Sequence, residues 1–274
     1  MTSAMTEQQA ITAALFDEWT AIEKLLAGLT PEQWMRPSPL PGWTVHDVAA
    51  HIIGTESFLL GEQPGDVDLD VHGLAHVRNE MGAFNERWVE FLRGESPAAM
   101  LERFRTATAR RREVLAAMSA QEWETPTPSP IGQTTYGRFM RIRVFDCWMH
   151  ELDIRDAVGV PGDEGTPSAQ IAFYEITDSL GYIVGKLGQA PDGSRIALRL
   201  TGPLARTVFV AVDGRARVVE ALDGPATATI TVDSGLFTRL GGGRTTADAH
   251  PGAVTIDGDV EVGRRIVSHL AFTF

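Results

Sequence analysis

Cysteine is almost absent from the chain: Cys147 is the only one in 274 residues. No intramolecular disulfide is possible, which fits a reducing cytosol. Lysine is scarce as well. Of 24 basic residues all but Lys24 and Lys186 are arginine, a bias that fits a GC-rich bacterial genome. Positive charge is outnumbered, with 36 acidic residues and a net charge of −12. That balance argues against nucleic acid and against anionic membranes as partners. It does not exclude a small anion, which a single arginine can hold. No run of about 18 apolar residues exists, so no membrane span is expected. The opening stretch, MTSAMTEQQAITAALFDEW, lacks a basic segment followed by an apolar core, so no signal peptide is expected and the cytoplasm is the expected location. What the chain does have is 43% hydrophobic and 22% charged residues, the composition of a core-forming globular protein. Its length suits one large domain or two ordinary ones.

Periodicity divides the chain. Thr6–Leu29 carries Ile11, Leu15, Trp19, Ile22, Leu25 and Leu26 on one helical face, with Thr6 and Gln9 placed for a capping box. Pro31, Pro37, Pro39 and Pro41 then break the chain, with one helical turn at TPEQWM. Thr44 is placed to cap a helix running to about Leu60. Further helices are predicted over Leu74–Leu92, from Ser96-Pro97 to about Met118, and from Tyr136 to about Ala157. Pro126, Pro128 and Pro130 mark a loop, and Gly159 and Pro161 stop the last of these helices. After a helix over Ser168–Leu187 the pattern changes. SRIALRLTG, RTVFVAVDG, ARVVEAL, ATITVD and GAVTIDGD read as short strands, with a short helix at Ser234–Leu240 and a closing helix at Val260–Leu270. The expected fold class is α+β: a four-helix-type bundle over residues 1–162, then a small α+β domain over residues 163–274.

The stretch with most chemistry is Arg141–Gly159, RIRVFDCWMHELDIRDAVG. Its apolar residues Ile142, Phe145, Met149 and Leu152 form a buried stripe. Beside them Asp146, His150 and Asp153 stand at i, i+4 and i+7 and project from one side. A carboxylate and an imidazole one turn apart can share a metal ion, and His51, near the buried face of its own helix, can supply a third ligand. Each also has a plainer reading: a hydrogen-bonded core histidine for His51, an intrahelical hydrogen bond for Asp146 and His150. Bundle interiors are where facing helices build metal sites, and an unpaired buried carboxylate is costly. Asp153 either orients His150 or forms a salt bridge with Arg155 or Arg143. His46 reads as a surface residue, Trp43 as a packing staple and Cys147 as a buried thiol. In LGGGRTTADA, Arg244 either presents a fork to a carboxylate or makes a structural salt bridge. The ARRRE cluster, residues 109–113, reads as a solvated helix face.

PGWTVHDVAAHI, followed about 100 residues on by D-x-x-x-H-E-L-D-I-R-D-A-x-G, resembles the mycothiol-dependent maleylpyruvate isomerase family, a branch of the DinB-like four-helix-bundle metalloproteins. The tail from FTRLGGGRTTADAHPGAV onward resembles that family's small sterol-carrier-like C-terminal domain. The resemblance implies a divalent metal, usually zinc, on His51, Asp146 and His150. It implies mycothiol as a thiol cosubstrate and a basic residue from the small domain at the active site, for which Arg244 is the candidate. The family's usual carboxylate is glutamate, and aspartate here reaches about one methylene less far.

The expected activity follows. A metal-bound thiolate adds to a small electrophile, giving cis–trans isomerisation if the thiol is expelled and S-transfer if it is kept. A thiol-independent hydrolase, with Asp153 or Glu56 as base, and a non-catalytic ligand-binding protein are the alternatives. The expected partners are the electrophile and a low-molecular-weight thiol, with no nucleic acid and no membrane, in a monomer or homodimer.

Overall fold

The computed structural model describes residues 5–273, which divide into two compact units meeting between Gly162 and Asp163.

The first unit is built from capped helices. Thr6, Thr30, Thr44 and Ser119 each accept a hydrogen bond from the backbone of the residue three positions on, and that residue's side chain bonds back, so each makes a complete capping box. They start α1 (Glu7–Ala27), α2 (Pro31–Trp34), α3 (Val45–Leu59) and α6 (Ala120–Trp123). Between α3 and α6 lie α4 (Glu80–Leu92) and α5 (Pro97–Ala117), and the unit closes with α7 (Tyr136–Val158). Thr135 caps the start of α7, and Gly159, with a left-handed φ of 70°, ends it. Helix α1 packs on α5 and α7, and α3 packs on α5 and α7, so these four make the bundle; α4 lies against α3. Helix α7 is buried along nearly its whole length, which is why its polar residues are inside.

Three expectations need correction. Helix α4 begins at Glu80 rather than Leu74, because the Asn79 side chain accepts from the Gly82 backbone and fixes the start there. The proline-rich stretch before α7 is a two-stranded hairpin of β1 (Pro126–Ser129) and β2 (Gly132–Thr135). Prolines alternate there, so the missing N–H groups fall on one edge; Pro130 and Ile131 make the turn, and Gly132, φ 95°, leads out of it. The helix expected over Ser168–Leu187 is broken into α8 (Pro167–Asp178), α9 (Leu180–Tyr182) and a wide turn over Ile183–Leu187.

The second unit holds a five-stranded sheet of β3 (Arg195–Thr201), β4 (Arg206–Asp213), β5 (Arg215–Val219), β6 (Ala228–Asp233) and β7 (Val254–Gly258). The strand order is β5-β4-β3-β6-β7, with β3 and β6 parallel and the other pairs antiparallel. Ile196, Leu198 and Leu200 of β3 and Ile230 and Val232 of β6 alternate onto one buried face. Helices α10 (Ser234–Gly241) and α11 (Val260–Ser268) pack on that sheet, each started by an aspartate cap, Asp233 and Asp259.

One glycine fixes how closely α3 meets α4. A Cβ on Gly54 would lie 2.5 Å from Cβ and Cγ of Trp88, far inside contact distance. Gly54→Ala is expected to force the helices apart and lower stability by about 1–3 kcal/mol. Thermal or denaturant unfolding reads this directly, and an unchanged midpoint would show that Trp88 swings aside at no cost.

Candidate metal centre

Helices α3 and α7 face each other, and one side chain from α3 meets two from α7. His51, Asp146 and His150 each offer a donor atom, and these atoms all lie within 4.8 Å of one another. His51 Nε2 is 3.3 Å from Asp146 Oδ2, and His150 Nε2 is 3.5 Å from Asp146 Oδ1. The two imidazole centroids are 4.7 Å apart. Tight hydrogen bonds would draw these atoms to about 2.8 Å. The observed separations, which run to the two different oxygens of Asp146, are longer than that and near the roughly 3.3 Å edge of a tetrahedron with bonds of about 2.0–2.1 Å. Two imidazoles and a carboxylate at that spacing fit a divalent metal with one position open.

The surrounding groups set the protonation of the three. His150 Nδ1 is 2.9 Å from Asp153 Oδ2, and Asp153 is 1% exposed. That contact favours a proton on Nδ1, so that a metal could take the Nε2 side in place of the proton that Asp146 attracts there. Burial pulls His150 down, but the charges and hydrogen bonds of Asp146 and Asp153 outweigh it and hold it above its ordinary pKa. His51 is lowered by burial, with Asp146 opposing. Its Nδ1 is buried with no hydrogen-bond partner among the described residues. Burial also works against ionised Asp146, yet Arg143, His150 and His51 together hold it well below the usual carboxylate range.

Several residues that build the centre were not legible as such. Arg143, 2% exposed, donates through Nη1 to Asp146 Oδ2 and through Nε and Nη2 to Glu56 Oε1, at 3.1 and 2.7 Å. Glu56 Oε2 accepts from Arg111 Nε at 2.9 Å, and both residues are fully buried. Arg111 belongs to the ARRRE cluster expected to face solvent. It follows Phe104 and Thr108 and precedes Leu115 at helical spacing, so the periodicity of α5 does place it inward. The same ion pairs remove Glu56 from consideration as a hydrolytic base.

Trp43 is more than a staple. Its ring lies 5.4 Å from that of His51 and 6.4 Å from that of His150, and its indole N–H donates to Glu86 at 2.8 Å. Glu86, 1% exposed, also takes Arg93 and His76, each at 3.0 Å. His46, expected at the surface, is 3% exposed, with its Nε2 at 3.0 Å from the Glu95 carbonyl. Cys147 is fully buried as expected; burial pushes its thiol far above the ordinary value, and its Sγ is 3.4 Å from Arg143 Nη2. In the second unit Arg244 is half-buried just after α10, with Nη1 donating to the Gly242 carbonyl at 2.6 Å.

A helix bundle carrying a His-Asp-His cluster, followed by a small sheet domain, defines a class of two-domain protein with a candidate metal centre. The particular family is shown by comparison. Residues 15–155 match the model of the mycothiol maleylpyruvate isomerase N-terminal domain, and residues 170–265 match that family's C-terminal domain. The chain belongs to the mycothiol-dependent maleylpyruvate isomerase family. It is similar to Uncharacterized protein MT0041 of Mycobacterium tuberculosis strain CDC 1551 / Oshkosh, with 27% identity over 190 residues, 68% of this chain and 70% of the relative. Uncharacterized protein Rv0036c of strain ATCC 25618 / H37Rv matches equally. Among solved structures, the crystal structure of the mycothiol-dependent maleylpyruvate isomerase aligns with a TM-score of 0.59. It covers 92% of this chain and 94% of that one at 15% identity, a likeness of fold. Among the described residues, no helix is long and apolar enough to cross a membrane.

Proposed function

We propose that this chain is a metal- and mycothiol-dependent enzyme that adds the thiol to a small electrophile. The observation that carries the reading is the convergence of His51, Asp146 and His150 within 4.8 Å, in a member of this family. A divalent metal, zinc by preference of the donor set, would supply a Lewis-acidic open position that lowers the pKa of a bound thiol.

The chain's own residues do the rest. His51, Asp146 and His150 are the ligands. Asp153 holds the proton on His150 Nδ1, so that Nε2 stays a donor to the metal. Trp43 covers one side of both imidazoles and keeps water from that side. Cys147 is buried beside Arg143, so the nucleophilic sulfur must arrive with the cosubstrate. Arg244 is assigned to a carboxylate of the substrate or of the thiol, which its fork suits. Rotation of the adduct followed by expulsion of the thiol isomerises a maleylpyruvate-like substrate; retention of the adduct is S-transfer.

The test is turnover of maleylpyruvate and of simple electrophiles, with and without mycothiol, before and after chelation. Turnover that needs both the thiol and the metal is expected. Turnover without thiol would replace the proposal with metal-assisted hydrolysis. Inactivity under every condition would replace it with ligand binding.

A further inference from the structure

We propose that Arg143, clamped between Glu56 and Asp146, is a positioning residue that makes this centre take a metal together with an anion. The inference rests on the metal reading above and concerns a residue that reading leaves unused.

Helix α7 sets Arg143 one turn before Asp146. Its guanidinium cannot swing to water, because Arg143 is 2% exposed and Nε and Nη2 are both held by Glu56 Oε1. Glu56 is held in turn, through its other oxygen, by Arg111. What remains of the fork, Nη1, goes to Asp146 Oδ2.

Two consequences follow. First, one oxygen of Asp146 is taken by a guanidinium. The other, Oδ1, bears no guanidinium and faces His150 Nε2 at 3.5 Å, whereas His51 Nε2 lies 3.3 Å from Oδ2, so Oδ1 is the oxygen with the freer lone pairs for a metal. Asp146 then donates through one oxygen and leaves a coordination position open. Second, the charges along this chain of ion pairs cancel: Asp146 and Glu56 against Arg143 and Arg111. The carboxylate is neutralised before any metal arrives. A divalent ion then has Asp153, through His150, as a further counter-charge, and still adds positive charge that is not fully compensated in a buried place, which is unfavourable. An anionic further ligand, such as a thiolate, offsets part of it; a neutral ligand does not. Arg143 thus opposes the bare metal and favours metal plus anion.

Cobalt(II) is the probe, with its affinity read by competition with a chromophoric chelator. Cobalt-loaded wild type, Arg143→Gln, Arg143→Lys and Glu56→Gln are titrated by visible absorption with azide and, separately, with neutral imidazole. Arg143→Gln is expected to bind azide about tenfold more weakly than wild type while holding bare cobalt at least as tightly. Its imidazole affinity stays the same. Arg143→Lys keeps the charge and stays within about threefold of wild type for azide. Glu56→Gln removes the clamp's negative charge and binds azide more tightly. A merely structural role would weaken cobalt, azide and imidazole together in both Arg143→Gln and Glu56→Gln. That parallel loss, or equal azide affinity in wild type and Arg143→Gln, overturns the proposal. If Arg143→Gln does not fold, Glu56→Gln decides: azide binding no tighter than wild type overturns it. Wild type that takes up no cobalt removes the metal reading itself, before any variant is compared.

Discussion

Purified wild-type protein is expected to carry about one divalent metal per chain, and His51→Ala and His150→Ala to carry almost none while remaining folded. The two variants remove ligands from different helices, α3 and α7, so a shared loss of metal ties the helices to one ion. Both imidazoles are nearly buried, at 5% and 6% exposure, and each truncation leaves Asp146 its contact with Arg143. The bundle should therefore hold. Loss of a ligand should weaken metal binding by more than about 100-fold, and Asp153→Asn, which touches the metal only through His150, by about 10–100-fold. Elemental analysis by mass spectrometry and chelator competition rank the variants. Wild type free of metal and unable to acquire it would make the three residues a hydrogen-bonded bundle core and move the function from catalysis to binding.

That ranking separates what periodicity reveals from what it hides. Asp146, His150 and Asp153 were legible because i, i+4 and i+7 on one helix is a statement about a single element. The strands of the second unit were legible for a similar reason: alternation with period two, punctuated by glycine and Asp-Gly turns, is local. The β1-β2 hairpin was not, since its prolines signal a loop unless the partner strand is known. Neither was the break between α8 and α9, where apolar residues continue at helical spacing and only the path of the backbone changes. Arg111 and Glu56 show the deeper limit. Arg111 alone reads as a surface charge and Glu56 as a candidate base, and only their pairing across α3 and α5 accounts for the burial of both. Trp43 and Glu86 fall in the same category, because a residue before α3 and one in α4 meet beside histidines from two other positions in the chain.

The burial of those charges carries the second large effect. Glu56→Leu is expected to lower stability by about 3–5 kcal/mol, with or without metal. The leucine approximates the glutamate's volume, so little of this comes from a cavity. The cost is that Arg111 and Arg143, both nearly inaccessible to water, lose their shared carboxylate. A domain of this kind is stable by about 5–15 kcal/mol, so the loss is a large share of the total. The unfolding midpoint should fall by about 10 °C, readable by circular dichroism. Glu56→Gln keeps an acceptor for only one of the two guanidiniums, since Arg111 and Arg143 hold different oxygens, and should still cost less than the leucine, about 1–3 kcal/mol. The double variant Glu56→Leu with Arg111→Met removes a carboxylate and a guanidinium together. It should recover most of the stability, because Arg143 keeps Asp146 as its counter-charge. A fall of less than about 1 kcal/mol in Glu56→Leu would mean that water reaches the guanidiniums. Failure of the double variant to recover would mean that the shape of the network, rather than its charge balance, holds α3, α5 and α7 in register.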